Sequence, residues 1–316
     1  MDYRQLGNTG LLVSRLCFGS LTISPIQANL PIKKGAEIIK YAYSKGINFI
    51  DTAELYDNYE YIEEVLKYVN RKEFVIATKS YSHSRKTAKE SLNKALKGLN
   101  TDYIDLFLLH EQEGENTIRG HYEAVSFFME AKKKGIIRAF GISTHKIQAV
   151  KDSMKFDEIE VIHPIVNKTG LGIQDGSIDE MIDALKSAYN TGKGIYSMKP
   201  LGGGHLIKNV EEAFNFVRNL SFLHSIAVGI QSKEEVDADI SLISTGSIPS
   251  DIKSKIDKKE RILHIADWCV GCSKCVEKCN HGGIIVINGK ADAVKDKCIF
   301  CGYCAKVCPE FCIKVI

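Results

Sequence analysis

Nine of the ten cysteines lie near the end of the chain, between Cys269 and Cys312. Two runs, "CVGCSKCVEKCN" and "CIFCGYCAKVCP", repeat one spacing, in which three cysteines stand three residues apart and a fourth follows four residues later. Three thiolates at that spacing can wrap one iron–sulfur cubane, whereas the fourth projects away from it. Such a cubane passes one electron at a time, so the runs predict an electron-transfer module.

The repeat predicts two 4Fe-4S clusters that exchange their fourth ligands, because in proteins with two clusters this cysteine serves the other cluster. One cluster is expected at Cys269, Cys272, Cys275 and Cys308, and the other at Cys298, Cys301, Cys304 and Cys279. Paired CxxC segments also build zinc sites, but the duplicated CxxCxxCxxxC spacing favours cubanes. Outside the repeat, Cys17 and Cys312 are predicted to be small buried residues.

A second group of chemical side chains occurs where three consecutive apolar segments end. Asp51 and Tyr56 stand in "FIDTAELYDN", Lys79 in "FVIATKS" and His110 in "DLFLLH". A phenol is a weak acid at neutral pH, and an adjacent ammonium group lowers its pKa. We expect Lys79, held by Asp51, to act on Tyr56 in this way, while a histidine orients a carbonyl oxygen. Tyr56 would then protonate that oxygen as hydride reaches the carbon.

The segments that must position these residues alternate between strand-like and helix-like patterns. Eight apolar, β-branched runs are each followed by an amphipathic stretch: "LCFGSLTI", "INFIDTA", "FVIATKS", "YIDLFLLH", "IRAFGIST", "IEVIHPIV", "GIYSMKPL" and "IAVGIQS". Such a pattern predicts a parallel sheet covered by helices, and eight units favour an α/β fold of the closed (β/α)8 type, a TIM barrel. An open doubly wound sheet is the alternative, but its GxGxxG turn is missing.

The composition changes after the eighth unit. We predict the barrel over residues 1–244, a polar, lysine-rich linker over 245–260, and a small α+β ferredoxin-like dicluster domain over 261–316. The last part is too short for an ordinary core, so its cysteines must hold it together. Near the start, "LGNTG" predicts a hairpin turn that closes the floor of the barrel.

Charge and hydropathy exclude several classes of partner. The formal net charge of +3 comes from 42 basic and 39 acidic residues mixed along the chain, which gives no support to nucleic-acid binding. No apolar run approaches the roughly 18 residues that span a bilayer, and the first residues lack the features of a signal peptide. We therefore expect a cytoplasmic protein with no membrane partner.

Residues 1–243 resemble the aldo-keto reductase family. The resemblance rests on "YRQLGNTGLLVS", "INFIDTAELYDN", "YIDLFLLH", "KKKGIIRAFGIS" and "MKPLGGG". It implies that Asp51, Tyr56, Lys79 and His110 form the catalytic tetrad of the family. It also implies a small-molecule carbonyl or alcohol as substrate and a nicotinamide dinucleotide as cofactor.

The last fifty or so residues resemble the bacterial dicluster ferredoxins. This resemblance covers Ala266 to Ile316 and rests on the two cysteine runs. Asn280 stands where those proteins usually have the proline that Pro309 supplies in the second run. The departure changes one turn and removes no ligand.

Several positions depart from the nucleotide contacts of the aldo-keto reductases. Ser143 keeps the serine of the family's GxSN motif, but Thr144 replaces the asparagine. Met198 occupies the place of a tyrosine that stacks on nicotinamide. Gln231 and Asp237 stand where a phosphate-binding lysine and arginine often occur. NADPH is therefore less favoured than in a typical member, although Lys233 could compensate for the carboxylate.

The remaining candidates for phosphate contact follow the last two strands. They are Gly202, Gly203, Gly204, Lys199, and Ser232 beside Gln231. Glycines allow close backbone approach to a phosphate, and the other groups can donate hydrogen bonds to an anion.

Carbonyl reduction consumes two electrons, whereas each cubane passes one, so a flavin is the expected converter even though the sequence has no flavin signature. We expect an iron–sulfur oxidoreductase that exchanges electrons with a ferredoxin or a flavoprotein. Its cluster domain is expected near the C-terminal rim of the barrel, close to Tyr56 and His110. Two alternatives remain: an NAD(P)-dependent carbonyl reductase with structural clusters, and a non-enzymatic electron-transfer or redox-sensing subunit.

Overall fold

An antiparallel hairpin of β1 (Tyr3–Gln5) and β2 (Leu12–Ser14) precedes the main fold in the computed structural model, which describes residues 1–256, 262–298 and 303–315. The predicted ligand Cys301 therefore lies outside the described residues. The turn of the hairpin packs under the barrel, where the N–H of Asn8 donates to the carbonyl of Gly192 at 3.0 Å. Leu6 is completely buried there. The hairpin thus closes the floor, as predicted.

Within residues 1–256, eight parallel strands form a closed barrel in the order β10-β3-β4-β5-β6-β7-β8-β9. The strands are β3 (Leu16–Gly19), β4 (Phe49–Asp51), β5 (Val75–Ser80), β6 (Ile104–Leu109), β7 (Ile137–Thr144), β8 (Val161–Pro164), β9 (Gly194–Met198) and β10 (Ser225–Gly229). Each begins inside one of the eight apolar runs or one residue before it. The predicted TIM barrel is confirmed, and its closure leaves no edge strand with unpaired backbone groups.

Helices surround the barrel and bury their apolar faces against it. They are α1 (Ile32–Ser44), α2 (Tyr59–Leu66), α3 (Arg85–Leu99), α4 (Glu115–Gly120), α5 (Tyr122–Lys133), α6 (Ile147–Ser153), α7 (Ile178–Asn190), α8 (Val210–Arg218) and α9 (Lys233–Ser244). Short 3-10 helices cover Ser20–Ile23, Glu54–Tyr56, Arg71–Glu73, Gly202–Gly204 and Ile207–Asn209. Serine side chains cap the N-termini of α3, α7 and α9, which satisfies amides that the helix cannot.

The chain continues through α10 (Ser250–Ile256), which lies inside the predicted linker and packs against α9. The boundary itself stays a prediction. The C-terminal domain, called the cluster module below, contains β11 (Leu263–Ile265), α11 (Lys274–Lys278), β12 (Ile284–Ile287), β13 (Lys290–Ala293), α12 (Tyr303–Lys306) and β14 (Ile313–Val315). β11 pairs with β14 and β12 with β13, both antiparallel. Its apolar core is small, and cysteines make up much of it.

Candidate active site and cluster sites

A buried ion pair lies where β4 and β5 end. These strands are neighbours in the barrel, so Asp51 and Lys79 reach each other across their C-terminal ends. The Lys79 ammonium donates to both carboxylate oxygens of Asp51, at 2.8 and 2.7 Å, and to the carbonyl of Thr52 at 2.8 Å. Lys79 is 1% exposed, so all three of its protons are used within the protein. The prediction that Asp51 holds Lys79 agrees with this geometry.

Tyr56 and His110 complete the group of four predicted residues. Tyr56 ends the 3-10 helix after β4, and its ring centroid lies 5.0 Å from the Lys79 ammonium nitrogen. Its ring is 6.2 Å from the ring of His110 in an edge-on arrangement. Tertiary structure therefore brings together four side chains that span sixty positions of sequence, as the strand-end pattern predicted.

The pKa of the Tyr56 phenol is shifted upward, whereas we expected Lys79 to lower it. Burial raises this pKa well above its usual value, and the carboxylates of Asp51 and Glu111 raise it further. Lys79 does not counter this, because it donates its hydrogen bonds to Asp51 and Thr52 rather than to the phenol. Tyr56 therefore stays protonated at neutral pH and retains a proton to donate.

His110 follows β6 and is 7% exposed. Burial lowers its pKa well below the usual value, and the positive charge of Lys79 lowers it further. The ring of Tyr81 stacks on it at 4.6 Å, and the Tyr81 hydroxyl donates to Glu111 at 2.6 Å. The Nδ1 atom of His110 is buried and has no hydrogen-bond partner within the part of the chain described. A neutral imidazole with a vacant nitrogen can bind a polar ligand atom.

Two residues of this network were missed in the sequence. Tyr196 of β9 is fully buried inside the barrel, and its hydroxyl donates to the same Asp51 carboxylate at 2.9 Å. His163 of β8 stacks on Tyr196 with ring centroids 3.9 Å apart. Both stand in runs interpreted only as buried strand, although a tyrosine or histidine there needs a polar partner when buried. This need for a polar partner could have identified both residues from the sequence.

The predicted nucleotide contacts Ser143 and Ser232 have partners within the chain. The Ser143 hydroxyl oxygen accepts from the backbone N–H of Glu111 at 2.9 Å. The Ser232 oxygen caps α9 by accepting from the N–H of Glu235 at 3.2 Å. The carboxylate of Glu235 in turn accepts from the N–H of Gln231 at 2.7 Å. Side chains of the segment itself thus satisfy two N–H groups at the start of α9, and one of these side chains is a carboxylate.

Asp237, which was expected to repel a phosphate, is paired with other side chains of the barrel's outer layer. Asp237 accepts hydrogen bonds from the hydroxyl of Tyr41, at 2.9 Å to each oxygen, and lies 3.4 Å from the ammonium of Lys45. Tyr41 belongs to α1, and Lys45 follows its last residue. Asp237 therefore has a structural role between two helices, and Lys233 lies over the same Tyr41 ring at 5.8 Å. Asp237 is no longer evidence against a 2′-phosphate.

The glycine run after β9 is covered by the cluster module. A Cβ atom on Gly203 would lie 2.9 Å from the ring of Phe311, and one on Gly204 would lie 2.5 Å from the carbonyl oxygen of Val315. Gly202, Gly203 and Gly204 all have φ between 56° and 98°. The close approach that requires glycine here is made by the chain's own C-terminal segment.

Lys199 lies at the same contact. Its ammonium nitrogen is 2.9 Å from Nε2 of His145 and 4.5 Å from the centroid of the Phe311 ring. Burial lowers the pKa of Lys199 to about 7, and the nearby charge of Lys314 contributes. Its backbone φ is 56°, an uncommon conformation for a residue with a side chain. The predicted phosphate contacts are thus engaged by the protein, and a nicotinamide dinucleotide does not fit this arrangement.

The first predicted cluster site is assembled. Of the described cysteines, five line one cavity in the module: Cys269, Cys272, Cys275, Cys308 and Cys312. Four of them are the predicted ligands of one cubane. The backbone N–H of Ala291 donates to the Cys269 sulfur at 3.3 Å, and although burial opposes the shift, such amide donors lower the pKa of this thiol. Backbone N–H groups that point at sulfur suit a ligated thiolate, so these residues fit a 4Fe-4S cluster.

Cys312 has more than the predicted packing role. It is 1% exposed, as expected, but its sulfur lies 3.3 Å from that of Cys308 at the edge of the cavity. Burial, followed by the contact with Cys308, raises the pKa of Cys312 above its usual value. Cys17, in contrast, is simply buried inside the barrel, as predicted.

The second predicted site is described in part. Gly283 connects two of its cysteines, because its N–H donates to the sulfur of Cys279 at 3.2 Å and its Cα packs against the backbone of Cys298. Cys304, in α12, is buried in the module core. Cys301 lies in residues that the structure does not describe. Among the described residues, no three histidine, cysteine or acidic side chains are close enough to hold a single metal ion.

The module docks on the C-terminal rim of the barrel, as predicted. Phe311, three residues after Cys308, inserts among loops that follow β7, β8 and β9. Its ring lies 6.4 Å from that of His145 and 6.4 Å from that of His205. Lys314 and Val315 of β14 are buried, at 7% and 4% exposed. The cluster cavity and the barrel mouth are therefore joined through one short segment.

Comparison with known proteins agrees with both parts. The model of the aldo/keto reductase family matches residues 15–238. The chain belongs to the aldo/keto reductase family. A 4Fe-4S dicluster domain is matched over residues 259–309. The family and the appended domain together confirm the expected class, an oxidoreductase with a ferredoxin-type module.

The matches to individual relatives extend over only part of each relative's length. The uncharacterized oxidoreductase YqkF of Bacillus subtilis is 31% identical over 174 residues, which are 50% of this chain and 54% of that protein. Methylglyoxal reductase DkgA of Escherichia coli is 31% identical over 170 residues, 51% of this chain and 61% of that protein. The chain thus spans less than two thirds of either relative.

A solved structure supports the fold. The aldo-keto reductase AKR11C1 from Bacillus halodurans, in its holo form, superposes with a TM-score of 0.66 at 24% identity, over 82% of this chain and 96% of that one. Within the described residues, no helix has the length and apolarity to cross a bilayer.

Proposed function

We propose that this chain is an iron–sulfur oxidoreductase that interconverts a small carbonyl compound and its alcohol at Tyr56. Reduction of one carbonyl group takes up two electrons and two protons, and a donor of the ferredoxin class is the proposed source of the electrons. Two 4Fe-4S clusters, when bound, supply the capacity to store those electrons one at a time. The cytoplasmic location stays a prediction.

One observation carries the proposal: the same rim of the barrel holds both the predicted proton donor and the docked cluster module. Phe311 contacts Lys199 at 4.5 Å on one side, and its backbone N–H donates to the carbonyl of Cys308 at 3.3 Å on the other. Cys308 lines the cavity that fits a cluster. One residue, Phe311, therefore links the cavity that fits a cluster to the barrel mouth.

The barrel residues supply the proton chemistry in this proposal. Tyr56 is neutral and donates its proton to the carbonyl oxygen, and His110 binds the same oxygen through an imidazole that burial keeps uncharged. Lys79 and Asp51 fix the geometry, because their ion pair is fully buried and neither can turn toward solvent. The second proton comes from solvent.

The test is reoxidation of the reduced protein by a carbonyl compound. The holoprotein is purified without oxygen, reduced with dithionite, freed of excess reductant, and mixed with methylglyoxal while cluster absorbance and alcohol are followed. A dicarbonyl is chosen because conjugation eases electron uptake, and because one relative is named for its reduction. We expect one alcohol for each pair of electrons that leaves the clusters, and any flavin released by denaturation is identified in the same sample.

Two tyrosine variants separate chemistry from electron transfer. Tyr56→Phe should lower the turnover at least about 100-fold, because a positioned proton donor contributes this much. Tyr68→Phe removes the same hydroxyl from an exposed residue and should leave the rate unchanged. If Tyr56→Phe turns over at the wild-type rate, the barrel does not act on the carbonyl, and an electron-transfer subunit becomes the better description. If NADH and not the clusters reduces the carbonyl, the clusters are structural.

A further inference from the structure

The loops after the seventh and eighth strands of a TIM barrel are its usual place for binding phosphate groups. Here these strands are β9 and β10, which are adjacent and parallel. The loop after β9 contains the glycines Gly202–Gly204, and the loop after β10 leads into the twelve-residue helix α9. Both features normally present backbone N–H groups to an anion.

In this chain the segment Phe311–Val315 lies on that place. The Phe311 ring and the Val315 carbonyl would collide with any side chain at Gly203 or Gly204, and the stem of Lys314 lies 3.9 Å from the Cβ position of Gly203. Val315 is 4% exposed. The segment is also anchored from behind, because β14 pairs with β11 of the module. Protein atoms therefore fill the surface that a diphosphate would need.

The α9 half of the place is closed by different residues. Ser232 accepts from the N–H of Glu235, and the Glu235 carboxylate accepts from the N–H of Gln231. Glu234 stands in the same first turn. Two of the amides at this helix end are thus already used, and two carboxylates repel a phosphate that approaches it.

Lys199 follows the same strand as the glycine run, and its ammonium group already has partners within the protein. Its ammonium group lies between the His145 ring and the face of Phe311. Phe311 thus replaces a phosphate as the partner of this lysine through a cation–π contact.

We propose that the Phe311–Val315 segment serves as a built-in occupant of the barrel's phosphate site, which docks the cluster module and excludes nicotinamide dinucleotides. With that site filled, the module, when loaded with its clusters, would supply the electrons in place of a dinucleotide. This inference rests on the proposed function for its meaning, but the occupancy of the site can be tested without turnover. Phe311 is the residue that determines the specificity against dinucleotides, because its ring packs on Gly203 in the middle of the glycine run.

The experiment measures dinucleotide binding together with the protection of the glycine run from hydrogen exchange. Anaerobic holoprotein is titrated with NADH and with NADPH by calorimetry, and hydrogen exchange is followed in the peptide that contains Gly203 and Gly204. The variants are Phe311→Ala and, as a matched control, Ile285→Ala, which removes an exposed apolar side chain from β12. Iron content and the electron paramagnetic resonance spectrum verify that each variant keeps its clusters.

We expect no saturable binding up to about 1 mM for the wild type and the control, with the glycine peptide protected. Phe311→Ala should increase exchange of that peptide at least about 10-fold and bind a dinucleotide with a Kd below about 1 mM. If Phe311→Ala leaves the peptide protected, Gly204→Ala takes its place, since a Cβ there would press on Val315 at 2.5 Å.

Two outcomes would overturn the proposal. One is dinucleotide binding by the wild type below about 100 µM, whether or not the segment loosens. The other is a variant whose glycine peptide exchanges freely but which still fails to bind either dinucleotide. Neither outcome depends on methylglyoxal turnover, so the carbonyl chemistry could survive with nicotinamide as the donor. Conversely, a protein that reduces no carbonyl but excludes dinucleotides would retain this inference and lose the proposed function.

Discussion

At the scale of single residues, the chemistry of this protein depends on which groups keep their protons. Tyr56 and His110 are both held neutral by burial, the first protonated and the second uncharged. The charged groups beside them, Asp51 and Lys79, neutralise each other. A site of this kind holds a mobile proton without holding net charge, which suits a neutral carbonyl group better than an ionic one.

The cysteines allow a sharp test of ligand assignment at the same scale. Cys308→Ser should lower the iron content from about eight to about four per chain, because it removes a ligand of one cubane. Cys312→Ser, at a sulfur only 3.3 Å from that of Cys308, should keep about eight. Iron analysis after anaerobic purification gives the result. Equal losses in both variants, or loss in Cys312→Ser alone, would contradict the assignment.

At the scale of elements, the barrel is closed at two ends by different devices. The β1–β2 hairpin closes the floor, and the C-terminal segment with β14 closes part of the mouth. Both closures bring backbone against backbone, and both place glycine at the contact. The module is therefore held on the barrel by close backbone packing and not only by the linker between the domains.

Two glycines of the hairpin test how tight the floor is. Gly7 and Gly10 both have positive φ, at 54° and 72°, so alanine is strained equally at either. A Cβ on Gly7 would overlap the backbone of Lys193 and Gly194, whereas one on Gly10 meets nothing within 4 Å. Gly10→Ala should cost about 1 kcal/mol of unfolding free energy, and Gly7→Ala at least about 3 kcal/mol.

Urea denaturation followed by circular dichroism measures both variants under one set of conditions. The difference between them isolates the steric part of the cost, since the backbone strain is common to both. Equal costs would mean that the hairpin does not seal the floor.

At the scale of the whole molecule, the two domains differ in what holds them together. The barrel has a large apolar core, whereas the described part of the module has a small core in which cysteines stand beside a few apolar side chains. A domain of that size needs covalent or metal cross-links to remain folded. Clusters bound to these cysteines would therefore act as the core of the module.

Iron removal should uncouple the domains. After treatment with a chelator under mild oxidation, we expect protease to cut within residues 262–315 while a barrel fragment of residues 1–244 persists. The glycine run Gly202–Gly204 should lose its protection from hydrogen exchange at the same time. Untreated holoprotein is the control, and mass spectrometry of the fragments gives the readout. A module that stays resistant without iron would show that its fold does not depend on the clusters.

The sequence by itself determined the barrel, the two cysteine runs and the four strand-end residues, because each follows from local spacing. Residues at the ends of parallel strands must meet on one face, so Asp51, Tyr56, Lys79 and His110 could be grouped without coordinates. Their roles, and those of the cysteine ligands, stay predictions.

Only the tertiary structure decided what those residues touch. Tyr196 joins Asp51 across 145 positions, and Phe311 reaches Lys199 and Gly203 from the other domain. Such contacts depend on how separate elements pack, and no local pattern encodes them. For the same reason the glycine run could be interpreted from sequence as a phosphate site, although the packing of the module gives it a protein partner.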